Sequence, residues 1–319
     1  MTAGVLLMTY GAPRDDADLP RYLAAVRGGR EPSAELITEM RRRYATIGGS
    51  PLVRITRAQA NALEAELGVL AATGMRYSDP AIGDAAGELV RRGATLLVGI
   101  VMSPQWSPTL MGGYRDALRE ASAALGVPAV TVEAWHREPL FAQALAMRIR
   151  RALADTDATT AVVLTAHSLP RRVFEAEPEY VAQLHETAEL VAEAAGLERA
   201  SWHWAYQSAG HTQEEWLRPD LKEVFPQLAA AGARRVLVAP VQFLADHLEV
   251  LYDLDVAAAA EAEAAGLRYR RVPMFNADTD FIRVLAAIAR RTIETFDNDA
   301  AAAATPSTRY SAGGSGATG

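Results

Sequence analysis

The chain has 319 residues, half of them hydrophobic, and 39 acidic against 32 basic side chains give a net charge of −7. That length buries a sizeable core and accommodates two halves, while the acidic balance argues against a nucleic-acid surface and suits a protein that attracts cations. Cysteine is absent and lysine occurs once, as Lys222, which excludes disulfides, thiolate nucleophiles, cysteine-bound iron–sulfur clusters and a P-loop.

Short β-rich runs alternate with amphipathic Ala/Leu/Arg stretches. Strands are predicted over residues 5–10, 75–78, 96–102, 129–134, 161–166, 201–206, 236–241 and 269–272, an alternation that implies an α/β fold built on parallel sheets. Ahead of Leu63 and Leu67, Thr56 and Gln59 have the spacing of a capping box and predict a helix start. The apolar run at the N-terminus is too short for a signal segment, and no stretch approaches the ~18 apolar residues of a membrane span, so a cytoplasmic protein is expected.

The sequence also echoes itself. "VLLMTYGAP" at 5–13 lines up with "VVLTAHSLP" at 162–170, "GATLLVGIVMSPQ" at 93–105 with "GARRVLVAPVQFL" at 232–244, and "REPLFAQALAMRIRR" at 137–151 with "NADTDFIRVLAAIARR" at 276–291. Duplication predicts two similar Rossmann-like halves, 1–145 and 146–296, facing each other across a cleft. Residues 297–319 lose periodic hydrophobicity and become Ala/Ser/Thr/Gly-rich, so a disordered tail is expected there. No heptad or long apolar helix face drives association, and a monomer is expected.

In open parallel sheets ligands bind beyond the carboxyl ends of the strands, and the unusual polar residues gather there. Tyr10 and His167 hold equivalent places in the two repeats. After the strand at 236–241 comes "DHLEVLYDLD", in which a helix would align Asp246, Glu249 and Asp253 on one stripe and Leu244, Leu248 and Leu251 on another. With Asp255, and with His167 and His247 as imidazole donors, that acidic row suits a divalent cation. Acids in a first helical turn also answer the macrodipole, for about 0.3–1 kcal/mol each, so the combination carries the argument rather than any one carboxylate. A second cluster, Arg27, Arg30, Arg41, Arg42 and Arg43 around Tyr44 and before Ser50, is suited to a ligand bearing carboxylates, although ordinary surface ion pairs would also place arginines there.

"YGAP" at 10–13, "GGSPL" at 48–52, "AHSLP" at 166–170 and "DHLEVLYDLD" at 246–255 together resemble the motifs of ferrochelatases, nearest to the coproporphyrin III ferrochelatases of Gram-positive type bacteria. The resemblance runs from about residue 4 to residue 291. It implies insertion of Fe²⁺ into a porphyrin without an organic cofactor or an iron–sulfur cluster, between two chelatase-like halves. By motif, His167 and Glu249 become the catalytic pair and iron ligands, and Tyr10 an axial ligand to iron in the product. Arg27, Arg43, Tyr44, Ser50 and Tyr114 become porphyrin contacts, and Asp246, Asp253 and Asp255 an acidic path. Tyr10 and the arginine-rich segment 27–50, which lacks an apolar lip, favour coproporphyrin III over protoporphyrin IX. A haem-pathway enzyme is the expected transient partner at the cleft, without nucleic acid or membrane insertion. The rival readings are a protoporphyrin enzyme, a sirohydrochlorin chelatase and a non-catalytic porphyrin carrier. Two positions depart from the nearest relatives, Gln105 in "SPQWS" and Tyr206 in "AYQS", and bear on a second metal site and on the grip on the macrocycle.

Overall fold

In the computed structural model, which describes residues 2–157, 159–210 and 214–304, the uncharged run Ala3–Thr9 forms β1 and is buried at every position. A strand covered on both faces by helices has no solvent side to supply with polar residues. Around it β2 (Leu70–Met75), β3 (Leu96–Val101) and β4 (Ala129–Val132) complete a parallel sheet in the order β2-β1-β3-β4. The second half repeats this as β5 (Thr160–His167), β6 (Trp202–Gln207), β7 (Arg235–Pro240) and β8 (Arg268–Arg271), in the order β6-β5-β7-β8. Val5 lies opposite Ala71 and Val98, and Val162 opposite Trp202 and Leu237. The α/β architecture of two similar halves is therefore the one expected.

One strand is displaced from its predicted place. Of the expected run at 75–78 only Met75 is in a strand, residues 76–78 bend away, and the strand is Leu70–Met75, "LAATGM". Alanine and glycine carry little β signal, but Gly74 is needed, because a Cβ there would lie 2.8 Å from the Ile82 Cα.

The helices of the first half are α1 (Leu19–Val26), α2 (Ala34–Thr46), α3 (Leu52–Leu67), α4 (Ile82–Arg91), α5 (Pro108–Leu125) and α6 (Pro139–Leu153). Those of the second are α7 (Arg171–Ala176), α8 (Pro178–Ala195), α9 (Leu221–Ala230), the π-helix Glu249–Ala258, α10 (Ala259–Ala264) and α11 (Thr279–Ala304). Among the described residues no helix is long and apolar enough to cross a membrane. The helix expected to begin at Thr56 begins at Leu52, behind Pro51, whose φ of −80° is already close to helical. Thr56 instead donates to the Leu52 carbonyl (2.9 Å) and Gln59 to the carbonyl of Asn276 (2.7 Å).

The last helix of each repeat packs on the other repeat. After β4, α6 lies against α8; after β8, α11 lies against α3. Their starts meet in an aromatic quartet: Phe275 stacks on Phe281 (4.8 Å), Trp135 meets Phe141 edge-on (5.3 Å), and Phe141 lies 5.8 Å from Phe275. The ion pairs are reciprocal. Glu138, which caps α6, accepts from Arg291 of α11 (2.6 Å), and Asp278, just before α11, accepts from Arg148 of α6 (2.5 Å). One apolar core consequently runs through both sheets.

Two expected boundaries move. A division at residue 145 falls inside α6, whose exchanged packing makes it common to both lobes. The last helix continues past Asp297 to Ala304, because the run Ala300–Ala304 has the highest helix propensity and elongation from an anchored helix adds a bond per residue. The remainder of the expected tail, 305–319, lies outside the described residues. Phe281 is fully buried at the centre of the quartet, so Phe281→Ala is expected to lower unfolding stability by about 3–5 kcal/mol, measured by urea denaturation.

Candidate active site

In each sheet the crossovers reverse direction between adjacent strands, between β1 and β3 and between β5 and β7, and a crevice opens at such a switch point. Tyr10 follows β1, Met102 and Ser103 follow β3, His167 ends β5, and residues 242–249 follow β7. Together, apart from Asp246, they line two adjoining cavities of ≈ 400 and ≈ 340 Å³. Tyr10, Tyr44, Ser50, Tyr114, His247 and Glu249 line the larger, whereas His167, Arg43, Gln207, Asp253 and Glu249 line the smaller. Glu249 belongs to both.

Gly11 turns the chain at the end of β1 with φ +93°, where a Cβ would collide with the Ser78 hydroxyl at 2.2 Å. The turn leaves Tyr10 43% exposed, edge-on to Tyr77 at 4.6 Å. Behind it the Arg76 guanidinium sits over both Tyr77 (5.0 Å) and Tyr114 (5.2 Å) and donates to the Leu110 carbonyl (2.8 Å). Burial, then Tyr77 and the negative charge of Glu249, push the Tyr10 phenol up, with Arg76 opposing. Tyr10 and Glu249 thus line one cavity, His167 lines the adjoining one, and Glu249 is common to both.

His167 donates from Nδ1 to the Ser168 carbonyl (2.6 Å), and His247 likewise to the Ala245 carbonyl (2.9 Å). A carbonyl only accepts, so Nδ1 carries the proton in each ring and Nε2 is the free position. Both free nitrogens point at one carboxylate: His167 Nε2 is 3.7 Å from Glu249 Oε1 and His247 Nε2 is 3.5 Å from Glu249 Oε2. Burial penalises the Glu249 charge, but His167 and the contact with His247 outweigh it and hold the carboxyl at about 2. For His247, burial favours the neutral ring, yet Glu249 overrules it and raises the imidazole above its ordinary value of 6.5. Glu249 is an anion held between two bases.

The expected α-helical stripe is altered. Asp246 precedes the helix, and from Glu249 the i→i+5 ladder of the π-helix widens the turn, so that residues four apart share a face. Leu244 is buried as expected, but on the helix the buried row is Val250, Leu254 and Ala258 rather than Leu248 and Leu251, and the cavity row is Glu249, Asp253 and Ala257. Asp246 and Asp255 leave the expected acidic path because Arg271 holds them both. Its guanidinium grips Asp255 at 2.6 and 2.8 Å and reaches Asp246 at 3.4 Å. Asp253 alone stays beside Glu249, its carboxyl raised by burial and by Glu249 while Ser208 and Arg43 oppose.

The arginine cluster divides in the same way. Arg41 pairs with Asp16, Arg42 with Glu39, and Arg43 with Glu39 (2.7 Å) and Asp253 (3.4 Å). Arg42 and Arg43 also cover the Tyr252 ring, docking α2 on the π-helix. Arg27 is exposed at the end of α1, outside both cavities, with no carboxylate partner among the described residues. Gln105 is buried, donating to Thr187 (2.9 Å), and Tyr206 turns toward His185 (3.3 Å); neither lines the cleft. Sequence reasoning missed Arg76, Gln242 and Asn276. Gln242 accepts from the His167 amide (3.0 Å) and donates to Tyr180 (2.7 Å), contacts across distant sequence that leave no local pattern. Among the described residues no three His, Asp or Glu converge as a closed metal site.

Two chelatase-like lobes with an imidazole–carboxylate cluster in the crevice define a class. SirB from Bacillus subtilis, solved with Fe³⁺, has the same fold, with a TM-score of 0.58 over 92% of this chain and 96% of that one at 13% identity. The ferrochelatase family model matches residues 2–293, and the chain belongs to the ferrochelatase family, a family of metal chelatases that take Fe²⁺ as substrate. It is 38% identical to the coproporphyrin III ferrochelatase of Geobacillus thermodenitrificans and 37% identical to the ferrochelatase of Deinococcus radiodurans, each match covering 90% of this chain and 95% of the relative.

The raised imidazole of His247 depends on the Glu249 charge. In Glu249→Gln the two raising contributions of Glu249 are lost while burial, which favours the neutral ring, remains, so the His247 pKa is expected to fall, measured by histidine NMR titration.

Proposed function

We propose that the chain inserts Fe²⁺ into coproporphyrin III to form Fe-coproporphyrin in haem biosynthesis, with His167 and Glu249 at the reacting centre. The carrying observation is the Glu249 carboxylate held ionised between the Nε2 atoms of two histidines. Metallation of a free-base porphyrin forms bonds from iron to four nitrogens and releases two pyrrole protons. A carboxyl held at about 2 is a weak proton acceptor at neutral pH but a permanent negative charge for a cation. An imidazole is by its ordinary chemistry the better-matched proton acceptor near neutral pH. In this reading Glu249 draws and ligates iron, His167 accepts a proton, and His247 is the second acceptor when its Nε2 is unprotonated. Tyr10, on the opposite wall, is placed to approach the metal from the other face of the macrocycle.

The substrate assignment draws on the mouth of the cleft and on the substrate named for relatives such as the Geobacillus enzyme. The apolar residues of α2, Leu36, Ile37 and Met40, pack inward on Leu19, Tyr22 and Leu23. The large apolar side chains exposed among the described residues are Tyr10, Leu140 and Val256, none of them on α1 or α2. A polar rim with Arg27 free of carboxylates suits a macrocycle carrying four propionates. Tyr44, Ser50 and Tyr114 line its seat, while Arg43, engaged by Glu39 and Asp253, acts through the π-helix.

An anaerobic absorbance assay with Fe²⁺ and either coproporphyrin III or protoporphyrin IX tests the reading. Conversion of coproporphyrin III is expected to dominate, and Glu249→Gln is expected to lower kcat at least ~100-fold while porphyrin binding persists. Faster turnover of protoporphyrin IX would overturn the substrate, and tight binding of both without metallation would replace catalysis by carriage.

A further inference from the structure

The segment between β7 and the π-helix, residues 241–247, carries His247 and leads directly into Glu249, yet it belongs to neither a strand nor a helix. Its position must come from elsewhere. Asn276, in the turn before α11, makes three bonds to it: the Asn276 amide donates to the Leu244 carbonyl (3.1 Å), Oδ1 accepts from the Asp246 amide (2.9 Å), and Nδ2 donates to Asp246 Oδ2 (2.8 Å). The geometry requires φ +50° at Asn276, a left-handed conformation that asparagine tolerates better than most residues. The carbonyl of Asn276 faces the other way and accepts from Gln59 Nε2 at 2.7 Å. Gln59 lies on α3, in the opposite lobe, only 1% exposed, and lines the larger cavity.

We propose that Gln59 and Asn276 form a cross-lobe clamp, a pair of positioning residues that fixes the His247–Glu249 loop relative to the first lobe during iron insertion. The inference rests on the proposed function for its catalytic consequence but not for its geometry. Arg271 holds the other oxygen of Asp246 (3.4 Å), so Asp246 is fixed from two directions, and Glu249 follows three residues later. Displacing that loop moves the carboxylate relative to Tyr10, which comes from the first lobe. Reactions that depend on placing a group within about an ångström lose up to ~100-fold in rate when it shifts.

Two variants separate clamp from scaffold. Gln59→Leu keeps volume and removes the donor; Asn276→Gly keeps the positive φ and the carbonyl and removes the side chain. Both are expected to raise hydrogen exchange across residues 244–249, read by mass spectrometry, with α8 and β5 unchanged. Asn276→Gly, outside both cavities, is expected to lower kcat for iron insertion about 10- to 100-fold with the porphyrin KM unchanged. In the double variant the two losses should be less than additive, because Asn276→Gly removes the two side-chain bonds to Asp246 and leaves Gln59 only the backbone link to Leu244 to act through. If Asn276→Gly fails to fold, Asn276→Asp, which keeps the acceptor but opposes the Asp246 carboxylate, is expected to produce the same exchange. Unchanged exchange at 244–249 in Gln59→Leu, or wild-type kcat in Asn276→Gly, would overturn the clamp. A wild-type protein that metallates neither porphyrin would instead remove the proposed function, leaving the exchange result to decide the clamp.

Discussion

The cleft depends on the exchange of terminal helices between the lobes. Two separate four-stranded sheets would be free to hinge, and groups at their strand ends would have no fixed separation. Here α6 and α11 each leave their own sheet to pack on the other lobe, and the quartet Trp135, Phe141, Phe275 and Phe281 closes the junction. Each aromatic pair adds about 0.5–1.5 kcal/mol beyond its buried area. The reciprocal pairs Glu138–Arg291 and Arg148–Asp278 then fix the rotation of one helix against the other. Two walls that originate in different halves of the sequence are thereby held as one site.

Within the site the decisive contest is between burial and pairing. Burial raises a carboxyl and lowers an imidazole, and both Glu249 and His247 move the opposite way. Their mutual charge has outweighed desolvation, which requires the contacts to be short and the rings to be oriented. The Ser168 and Ala245 carbonyls provide that orientation by fixing Nδ1–H. Asp253 and Tyr10, near the same negative charge but lacking an opposing cation of equal strength, are both raised. The centre thus holds one carboxylate flanked by two imidazoles, a disposition suited to receiving a cation while protons depart.

Much of this was legible in the sequence. Short β-rich runs placed seven of the eight strands nearly in position, and only "LAATGM" escaped, because its small residues serve close helix packing rather than β propensity. The internal repeat was legible because both copies bury equivalent strands and begin their last helix with an aromatic residue. His167, Glu249 and Tyr10 were legible as polar residues at strand ends. The α-helical reading of "DHLEVLYDLD" failed because the π-helix is held by partners distant in sequence, Arg42 and Arg43 over Tyr252 and Arg271 on Asp255, which periodicity of side chains does not encode. The Thr56–Gln59 spacing mimicked a local cap, while its partner was Asn276 in the other lobe.

The sequence by itself determined the alternation of elements, the duplication and the identity of the chemical groups, since those follow from local hydrophobic pattern and from residue type. Only the tertiary structure decided which charges were free. Arg271 neutralises Asp246 and Asp255, Glu39 and Asp253 occupy Arg43, and Glu249 is left facing two imidazoles. Ion pairing depends on distances of a few ångströms between residues from separate elements, and no local pattern in a chain specifies those distances before it folds.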